Sequence, residues 1–506
     1  MDTPRGVPLP KLVLPARFEK LHEVAIAEKV PLENIVRKVD TATRRAEDLL
    51  RAVRDQGVGR FEFVLGLSGS GKTTFLRTLP VFYAGAPVHE LPAAIQLSDV
   101  ADHLRKHRAG TTESAFYVLF GRDNPQEDNN TVRAFFESLR VLFREAEGGI
   151  VLLWPITDEA KAAEYARTAW EVGRDSIVDV ATKGTFRFIG LEKQYFYDTA
   201  DITTQTLNGG RTLETFGITR AEAEPIIREA ETIAEFYGRL QVRSREINSL
   251  TGDVLKERVV PRVWILLAGD DAKEIYTTVT VLTHGIRNEV DVRRLLGYLD
   301  DPNLDAAYLK EWKKRRERMA YLMTLLDVRV FVLPPNVTLG SVRIYGPDAL
   351  KSALNLKTAA LDQVAKALRS TAFYRAILDF TSATTGAPKA TDPTTATEYN
   401  RLQQSAAKDD KSLNKALGAL LDHTLKVDEV VCEIVSEKQS LPDSNLKPDV
   451  QVRLDGRGII CLEPTWRTTG EPIPDGRDDV QNTLTPGHIQ QYVLKKVLSY
   501  VDDLGI

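Results

Sequence analysis

The sequence predicts an α/β fold in two parts: a mainly parallel sheet with a helical lid, and a smaller α/β module after it. Three observations predict this fold. A glycine-rich loop stands between a β-like run and a helix, at residues 66–73. Apolar β-like runs then alternate with helical stretches as far as "VRVFVLPP" at 328, a pattern typical of parallel sheets. Residues 405–506 follow the order helix, three strands, helix.

Length and composition limit the classes of protein that the chain can represent. At 506 residues it predicts about three domains. A formal net charge of -4 excludes a global basic field, so nucleic-acid contacts would need a local patch. Cys432 and Cys461 are the only cysteines, which excludes a disulfide framework and a zinc site of several thiolates.

The chain shows no apolar run of the ~20 residues that a membrane span needs. Its first residues, "MDTPRGVPLPKLVLPARFEK", are broken by prolines and lack the apolar core of a signal peptide. We therefore expect a cytoplasmic protein with no membrane partner.

Shifts in composition suggest where the domains begin and end. The charged helical segment at 219–250 is expected to form the lid, and "TSATTGAPKATDPTTATEYN", which lacks an apolar period, is interpreted as a linker. The expected segments are 1–58 (arm and helix), 59–345 (parallel-sheet domain with lid), 346–404 (helix and linker) and 405–506 (C-terminal module).

The glycine-rich loop "GLSGSGKT" fits G-x-x-x-x-G-K-[ST] at every fixed position. Glycines allow main-chain N–H groups to surround phosphate oxygens, and the following helix N-terminus adds partial positive charge. Lys72 would reach the β- and γ-phosphates, and the Thr73 hydroxyl would bind Mg²⁺. The residues predicted to bind the nucleotide are Gly66, Ser68, Gly69, Ser70, Gly71, Lys72, Thr73 and Thr74. ATP and Mg²⁺ are the expected cofactors.

With its strand, loop and helix, this half of the chain resembles the P-loop ATPases of the AAA type. The resemblance implies a metal-organising acid after a second strand, and Asp123 after "AFYVLF" is the candidate. Thr157 or Asp158, after "GIVLLWPI", would sense the γ-phosphate. Asp123 and Asp158 could each instead be the N-cap of a helix. An arginine finger is expected if subunits assemble, but the sequence does not identify it.

A dense basic stretch, "KEWKKRRERMAY", allows two interpretations. Its cations could follow a phosphate backbone or could form a solvated helix face. They are Lys310, Lys313, Lys314, Arg315, Arg316 and Arg318.

In the C-terminal module, Asp449 follows a proline at the head of one strand and Glu463 lies in the next. This order of elements and acids resembles the PD-(D/E)xK nuclease superfamily, whose fold is that of restriction endonucleases. Two carboxylates on paired strands would hold Mg²⁺, which activates water and stabilises charge on the attacked phosphate. The lysine of the superfamily is replaced by Thr465, which departs from its pattern.

The last helix offers a replacement for that lysine. At about 100° per residue, Lys496 falls at the edge of the apolar stripe, one turn before Tyr500. Some members of the superfamily carry the lysine on this helix. Trp466 and Arg467 would extend the strand of Glu463 toward the substrate backbone. Each residue also has an alternative interpretation without catalysis. Asp449 could belong to a Pro-Asp turn, Glu463 could be a solvated strand residue, and the lysines of the last helix could extend into water.

These patterns leave three hypotheses for function. The first is an ATP-binding and ATP-hydrolysing protein that regulates metal-dependent DNA cleavage, in a homo-oligomer or with a partner subunit, as in prokaryotic systems of defence against foreign DNA. The second is an ATP-driven switch whose nuclease-like module is inactive and only binds DNA or a partner protein. The third, a small-molecule kinase, does not account for the linker and the second module.

Overall fold

The computed structural model describes residues 9–92, 94–108, 113–145, 149–255, 258–284, 287–298, 315–356, 358–383, 386–437, 439–468 and 484–505. The chain forms two compact units. The N-terminal unit comprises Leu12–Leu213 and Ile218–Arg243, and the C-terminal unit comprises Met1–Lys11, Glu214–Gly217 and Ser244–Ile506.

The N-terminal unit is a parallel sheet with helices on both faces. Its strands are β1 (Arg60–Leu65), β2 (Val88–Glu90), β3 (Ala115–Val118), β4 (Ile150–Ile156) and β5 (Thr185–Arg187), in the order β2-β3-β4-β1-β5. All four pairings are parallel. Its helices are α1 (Phe18–Ala27), α2 (Asp40–Gln56), α3 (Lys72–Phe82), α4 (Val100–Arg108), α5 (Asn129–Glu145), α6 (Glu159–Gly173), α7 (Phe196–Leu207), α8 (Arg220–Glu229) and the first part of α9 (Ile233–Leu255).

Strand β1 is buried along its whole length and contributes to a core on each face of the sheet. Phe61 and Phe63 pack with α5 and α6, while Val64 packs with α2 and α3. Glu62 is buried on the second face, where the Arg45 Nε of α2 donates to its Oε2 at 2.9 Å. The predicted parallel sheet is therefore present, and β1, the strand before the loop, lies between β4 and the edge strand β5.

The C-terminal unit contains a seven-stranded mixed sheet in the order β10-β11-β12-β6-β9-β8-β7. Its strands are β6 (Arg262–Ala268), β7 (Thr283–His284), β8 (Glu289–Val290), β9 (Arg329–Leu333), β10 (Cys432–Ser436), β11 (Val450–Leu454) and β12 (Gly458–Trp466). Its helices, after the end of α9, are α10 (Ala272–Leu282), α11 (Val292–Tyr298), α12 (Met319–Leu325), α13 (Pro335–Tyr345), α14 (Asp348–Ala353), α15 (Leu361–Arg369), α16 (Ala372–Leu378), α17 (Pro393–Val427) and α18 (Pro486–Leu504).

Side chains along β6 and β12 point alternately to the two faces of the sheet, and each face has its own hydrophobic core. Ile265 and Cys461 face a core completed by α10 and α18. Trp264 and Leu462 face the opposite core, completed by α13, α16 and α17. The helix α18 therefore packs on the face of the sheet that carries the odd-numbered residues of β12.

The structure divides the chain differently from the expected boundaries. Strand β6 pairs in parallel with β12, and β9 pairs in parallel with β6. Segments assigned to the 59–345 domain thus share one sheet with the 405–506 module. The physical reason is that β6 is apolar on both faces, as a strand in the middle of a sheet must be.

The stretch interpreted as a linker also differs from expectation. From Pro393 onward it is the first part of α17, a helix of 35 residues whose N-cap, Asp392, accepts a hydrogen bond from the Thr395 N–H at 3.0 Å. Tyr399 and Leu402 are fully buried. The Thr- and Ala-rich composition conceals this amphipathic helix, because large apolar residues are few in its first turns.

Only part of the basic stretch is described. Lys310, Lys313 and Lys314 lie outside the described residues. Arg315 forms an ion pair with Asp502 of α18 at 2.6 Å, and Arg316–Arg318 is a turn of 3₁₀-helix. No helix within the described parts of the chain has the length and apolar character that crossing a membrane requires.

Candidate functional site

The glycine-rich loop joins β1 to α3 at the carboxyl edge of the parallel sheet. Gly69 and Gly71 have φ values of +84° and +97°, which residues with a side chain rarely adopt. Gly71 is the N-cap of α3, so the free N–H groups of the first helical turn, including those of Thr73 and Thr74, are directed toward the loop. Ser68 is exposed. This arrangement is a concave set of main-chain donors suited to an anion.

Lys72 lies inside this loop. Its Nζ donates to the Gly66 carbonyl at 2.6 Å, to the Leu67 carbonyl at 3.1 Å and to the Thr157 Oγ1 at 3.3 Å. Burial lowers the pKa of Lys72, and the charge of Asp123 opposes that shift. The ammonium group is therefore held between the loop and the neighbouring ends of β3 and β4.

Asp123 reaches this position through a sharp turn after β3. Gly121 has φ +78°, and Arg122 is held by an ion pair with Glu127. The Asp123 carbonyl then accepts a hydrogen bond from the Thr157 N–H at 2.8 Å. Four residues, 119–122, lie between β3 and Asp123, and the positive φ of Gly121 belongs to the turn that returns Asp123 to the sheet edge.

The structure separates the two candidates for the sensor. Thr157 contacts Lys72, as given above. Asp158 instead caps α6, where it accepts from the Lys161 N–H at 2.9 Å, and its side chain is exposed. Because a capping carboxylate satisfies the N–H groups of its own helix, Asp158 does not extend into the loop.

A cleft adjoins the loop, and the sequence analysis did not identify it. It is lined by Gly71, Thr74 and Phe75 of the loop and α3, and by residues of the N-terminal arm and of α9. Those residues include Arg17, Phe18, Arg37, Ile233 and Tyr237. Its apolar walls and few polar groups are typical of a small-molecule pocket.

The beginning of α9 packs directly on the loop. The Ala234 N–H donates to the Gly69 carbonyl at 3.3 Å, and a Cβ on Gly69 would lie 2.9 Å from the Ala234 Cβ. Ser70 is buried, and its Oγ has no hydrogen-bond partner among the residues that the structure describes. Part of the expected lid is therefore a wall of the cleft.

A second group of polar residues lies in the C-terminal unit. The register of β11 against β12, Val450 opposite Leu462, places Asp449 beside Glu463. The Lys496 Nζ of α18 contacts Glu463 Oε2 and lies 3.7 Å from Asp449 Oδ2. Tyr500 donates to Glu463 Oε1. The structure thus brings together the three C-terminal residues that the sequence analysis selected.

Burial and charge control protonation in this group. Glu463 is 1% exposed, whereas the side chains of Asp449 and Lys496 are 23% and 30% exposed. Burial and the charge of Glu463 raise the pKa of Asp449 to about 8, while Lys496 opposes the shift. Although burial disfavours an ammonium group, the adjacent carboxylates raise the pKa of Lys496.

Thr465 lies on the same face of β12 as Glu463, two residues further on. Its Oγ1 accepts a hydrogen bond from the Arg467 Nε at 2.6 Å. A third acid, Glu437, follows β10, and the Asn414 Nδ2 of α17 donates to it at 2.8 Å. Its charge also raises the pKa of Asp449. Sequence reasoning missed Glu437, because its position depends on the pairing of β10 with β11.

The donors of this group suit Mg²⁺ in kind, since it prefers carboxylate oxygens, often only one or two, and retains water. Within the described ranges, however, no three His, Cys, Asp or Glu side chains are arranged to hold a metal ion. Asp449 and Glu463 are the two candidate metal ligands, and Lys496 contacts both. At the glycine-rich loop, Thr73 and Asp123 stay the predicted oxygen donors.

Together, the sheet and the loop define the N-terminal unit as a P-loop α/β domain. No protein-family model matches the chain. No curated protein matches it either. Among solved structures, the chain is similar to the crystal structure of Cdc6p from Pyrobaculum aerophilum, with 11% sequence identity and a TM-score of 0.26. The match covers 78% of this chain and 96% of that one. A likeness of this size does not define a family.

Proposed function

We propose that the chain binds and hydrolyses ATP and thereby regulates metal-dependent DNA cleavage at the Asp449–Glu463 carboxylates. The observation that carries the proposal is that one chain contains both a P-loop with its lysine in place and a carboxylate pair with a lysine between its members. The phosphates would replace the loop carbonyls as partners of Lys72. Thr73 and Asp123 would hold Mg²⁺, which neutralises charge on the transferred phosphate when bound.

The cleft beside the loop is the proposed site of the nucleotide base. Phe18 and Tyr237 offer aromatic surface, and Gly71 and Thr74 connect the cleft with the loop. A purine there would place its phosphates at the N-terminus of α3. Thr157 would then orient the attacking water, because its hydroxyl already contacts Lys72.

At the second site, Asp449 and Glu463 would hold Mg²⁺, which lowers the pKa of bound water. Lys496 would stabilise negative charge on the attacked phosphate or donate a proton from its ammonium group. Tyr500 fixes the Glu463 carboxylate through its hydroxyl. The proposed partners are DNA and either further copies of the chain or a partner subunit. A role in defence against foreign DNA rests on this architecture alone.

The second hypothesis, an ATP-driven switch whose nuclease-like site binds DNA or a partner without cutting, is favoured by two observations. Thr465 occupies the position of the usual lysine. Lys496 contacts both carboxylates, so its ammonium group competes with a metal for them. Both hypotheses include the same ATP site, so only a DNA-cleavage assay distinguishes them.

The experiment incubates supercoiled plasmid with the full chain and Mg²⁺ or Mn²⁺, with and without ATP. The variants are Lys72→Ala, Asp449→Asn and, as a matched control, Lys495→Ala, an exposed neighbour of Lys496 on the same helix. Cleavage lost in both Lys72→Ala and Asp449→Asn supports regulated cutting. Loss in Asp449→Asn alone shows that cutting needs no ATP. Absence of cleavage in every sample supports the binding module, and calorimetry with ATP then tests the first site separately.

A further inference from the structure

The face of β12 that carries the carboxylate continues beyond it. Glu463, Thr465 and Arg467 alternate along the chain and so point to the same side, toward α18. Arg467 follows the last residue of β12, and its N–H donates to the Ala268 carbonyl of β6 at 2.9 Å. The main chain of Arg467 is therefore fixed by the sheet.

The guanidinium group of Arg467 is buried. The residue is 7% exposed, and its Nε donates to Thr465 Oγ1. Burial lowers the pKa of Arg467. Among the residues that the structure describes, no carboxylate lies within ion-pair distance of it. A buried cation without an anionic partner is costly, which makes its neighbourhood favourable for an anion.

One aromatic ring connects this cation with the carboxylate site. The Arg467 Cζ lies 5.5 Å from the centroid of the Tyr492 ring, and the Lys496 Nζ lies 5.7 Å from the same centroid. Lys496 is balanced by Asp449 and Glu463, whereas Arg467 is balanced by no described acid. Burial and the charge of Arg467 also lower the pKa of His488.

We propose that Arg467 binds a backbone phosphate of the DNA strand held at the Asp449–Glu463–Lys496 site. This inference rests on the proposed function. Thr465 carries no charge, so Arg467 supplies the cation on this face of the strand, and the Thr465 hydroxyl orients it through its Nε. Within the described part of the chain, only the Nε of this guanidinium makes a hydrogen bond. A planar guanidinium suits a phosphate, to which it can donate two parallel hydrogen bonds.

The test measures the binding of a fluorescein-labelled DNA duplex by anisotropy over a series of KCl concentrations. Ca²⁺ replaces Mg²⁺ so that the DNA stays intact. Arg467→Gln is expected to weaken binding roughly tenfold. The slope of log K against log salt is expected to fall in size by ~0.9, the value for one lost phosphate contact on a duplex. Arg453→Gln is the matched control, since Arg453 lies on the adjacent strand and already pairs with Glu433 at 3.3 Å.

Further variants keep the outcome decisive if Arg467→Gln folds poorly, which its melting temperature reports. Arg467→Lys retains the charge, and Thr465→Val removes only the hydrogen-bond acceptor, so both should keep the wild-type salt slope. The inference is overturned if Arg467→Gln binds like Arg453→Gln, or if Arg467→Lys loses the slope as Arg467→Gln does. Wild-type protein that does not bind DNA would overturn the proposed function together with this inference.

Discussion

Lys496 provides the sharpest test of the carboxylate site, because a single substitution leaves the buried Glu463 and the partly buried Asp449 without their cation. We consider Lys496→Met, which keeps the length and packing of the side chain. Removing one partner of a buried ion pair costs about 3–5 kcal/mol. Glu463 is 1% exposed, but Asp449 and Lys496 retain 23% and 30% exposure, so solvent screens part of the loss. The expected destabilisation is therefore at the lower end, about 3 kcal/mol.

Scanning calorimetry of the full chain measures this loss. For a domain of this size, each kcal/mol shifts the melting temperature by about 2–4 °C, so the transition of the C-terminal unit should fall by about 6–12 °C. Lys495→Met, at the exposed neighbouring position, should change stability by no more than about 0.5 kcal/mol. The transition of the N-terminal unit, identified by its response to ATP, should remain in place.

Mg²⁺ gives the same experiment a second readout. A ligand that binds the folded state raises its stability according to concentration and affinity. Because the ammonium group no longer competes for Asp449 and Glu463, Mg²⁺ should raise the melting temperature of Lys496→Met more than that of the wild type. Two results would refute this expectation. One is that Lys496→Met and Lys495→Met have the same melting temperature. The other is that Mg²⁺ raises the melting temperatures of Lys496→Met and the wild type by the same amount.

Other predictions concern both sites. Thr157→Val should slow ATP hydrolysis about tenfold or more and largely spare ATP binding, whereas Asp158→Ala should cost about 1 kcal/mol of stability and leave ATP turnover unchanged, as steady-state kinetics and melting curves would show. Tyr237→Ala should weaken ADP binding in calorimetry about tenfold by removing an aromatic wall of the cleft, and unchanged affinity would exclude the cleft as the base site. Since the pKa of Asp449 is raised to about 8, its proton stabilises the metal-free folded state most at low pH, and this contribution is lost as the pH rises through 8. Asp449→Asn should therefore flatten the fall in melting temperature between about pH 5 and 8, and an unchanged pH profile would contradict the assignment.

The features that the sequence predicted well depend on the spacing of residues that are close together in the chain. The loop from Gly66 to Thr73 has a fixed pattern, and the strand–loop–helix context is present in the structure. The position of Lys496 followed from helical periodicity, which places it at the edge of the buried stripe facing Glu463. The first inference needed only neighbouring residues, whereas the choice of Lys496 also used the resemblance to a superfamily in which some members carry the lysine on this helix.

The features that the sequence did not predict depend on partners far away in the chain. No local pattern in β6 specifies that its neighbour is β12, because any apolar strand can pair with either side of it. The helix α17 did carry a local signal, Asp392 as N-cap followed by Pro393 at the first helical position, but the Thr-rich composition outweighed it. The cleft by the loop is formed in part by the N-terminal arm. It could not be predicted, because an arm has no sequence periodicity that indicates where it packs.

The pairing of β6 with β12 has a consequence for synthesis of the protein on the ribosome. Until β12 emerges, β6 has an open edge and an apolar face that α18 has yet to cover, and such edges invite association with other chains. A chain truncated before residue 450 would lose Glu463 and Lys496 along with β11, β12 and α18. Incomplete copies would therefore be aggregation-prone and would also lack the complete carboxylate group.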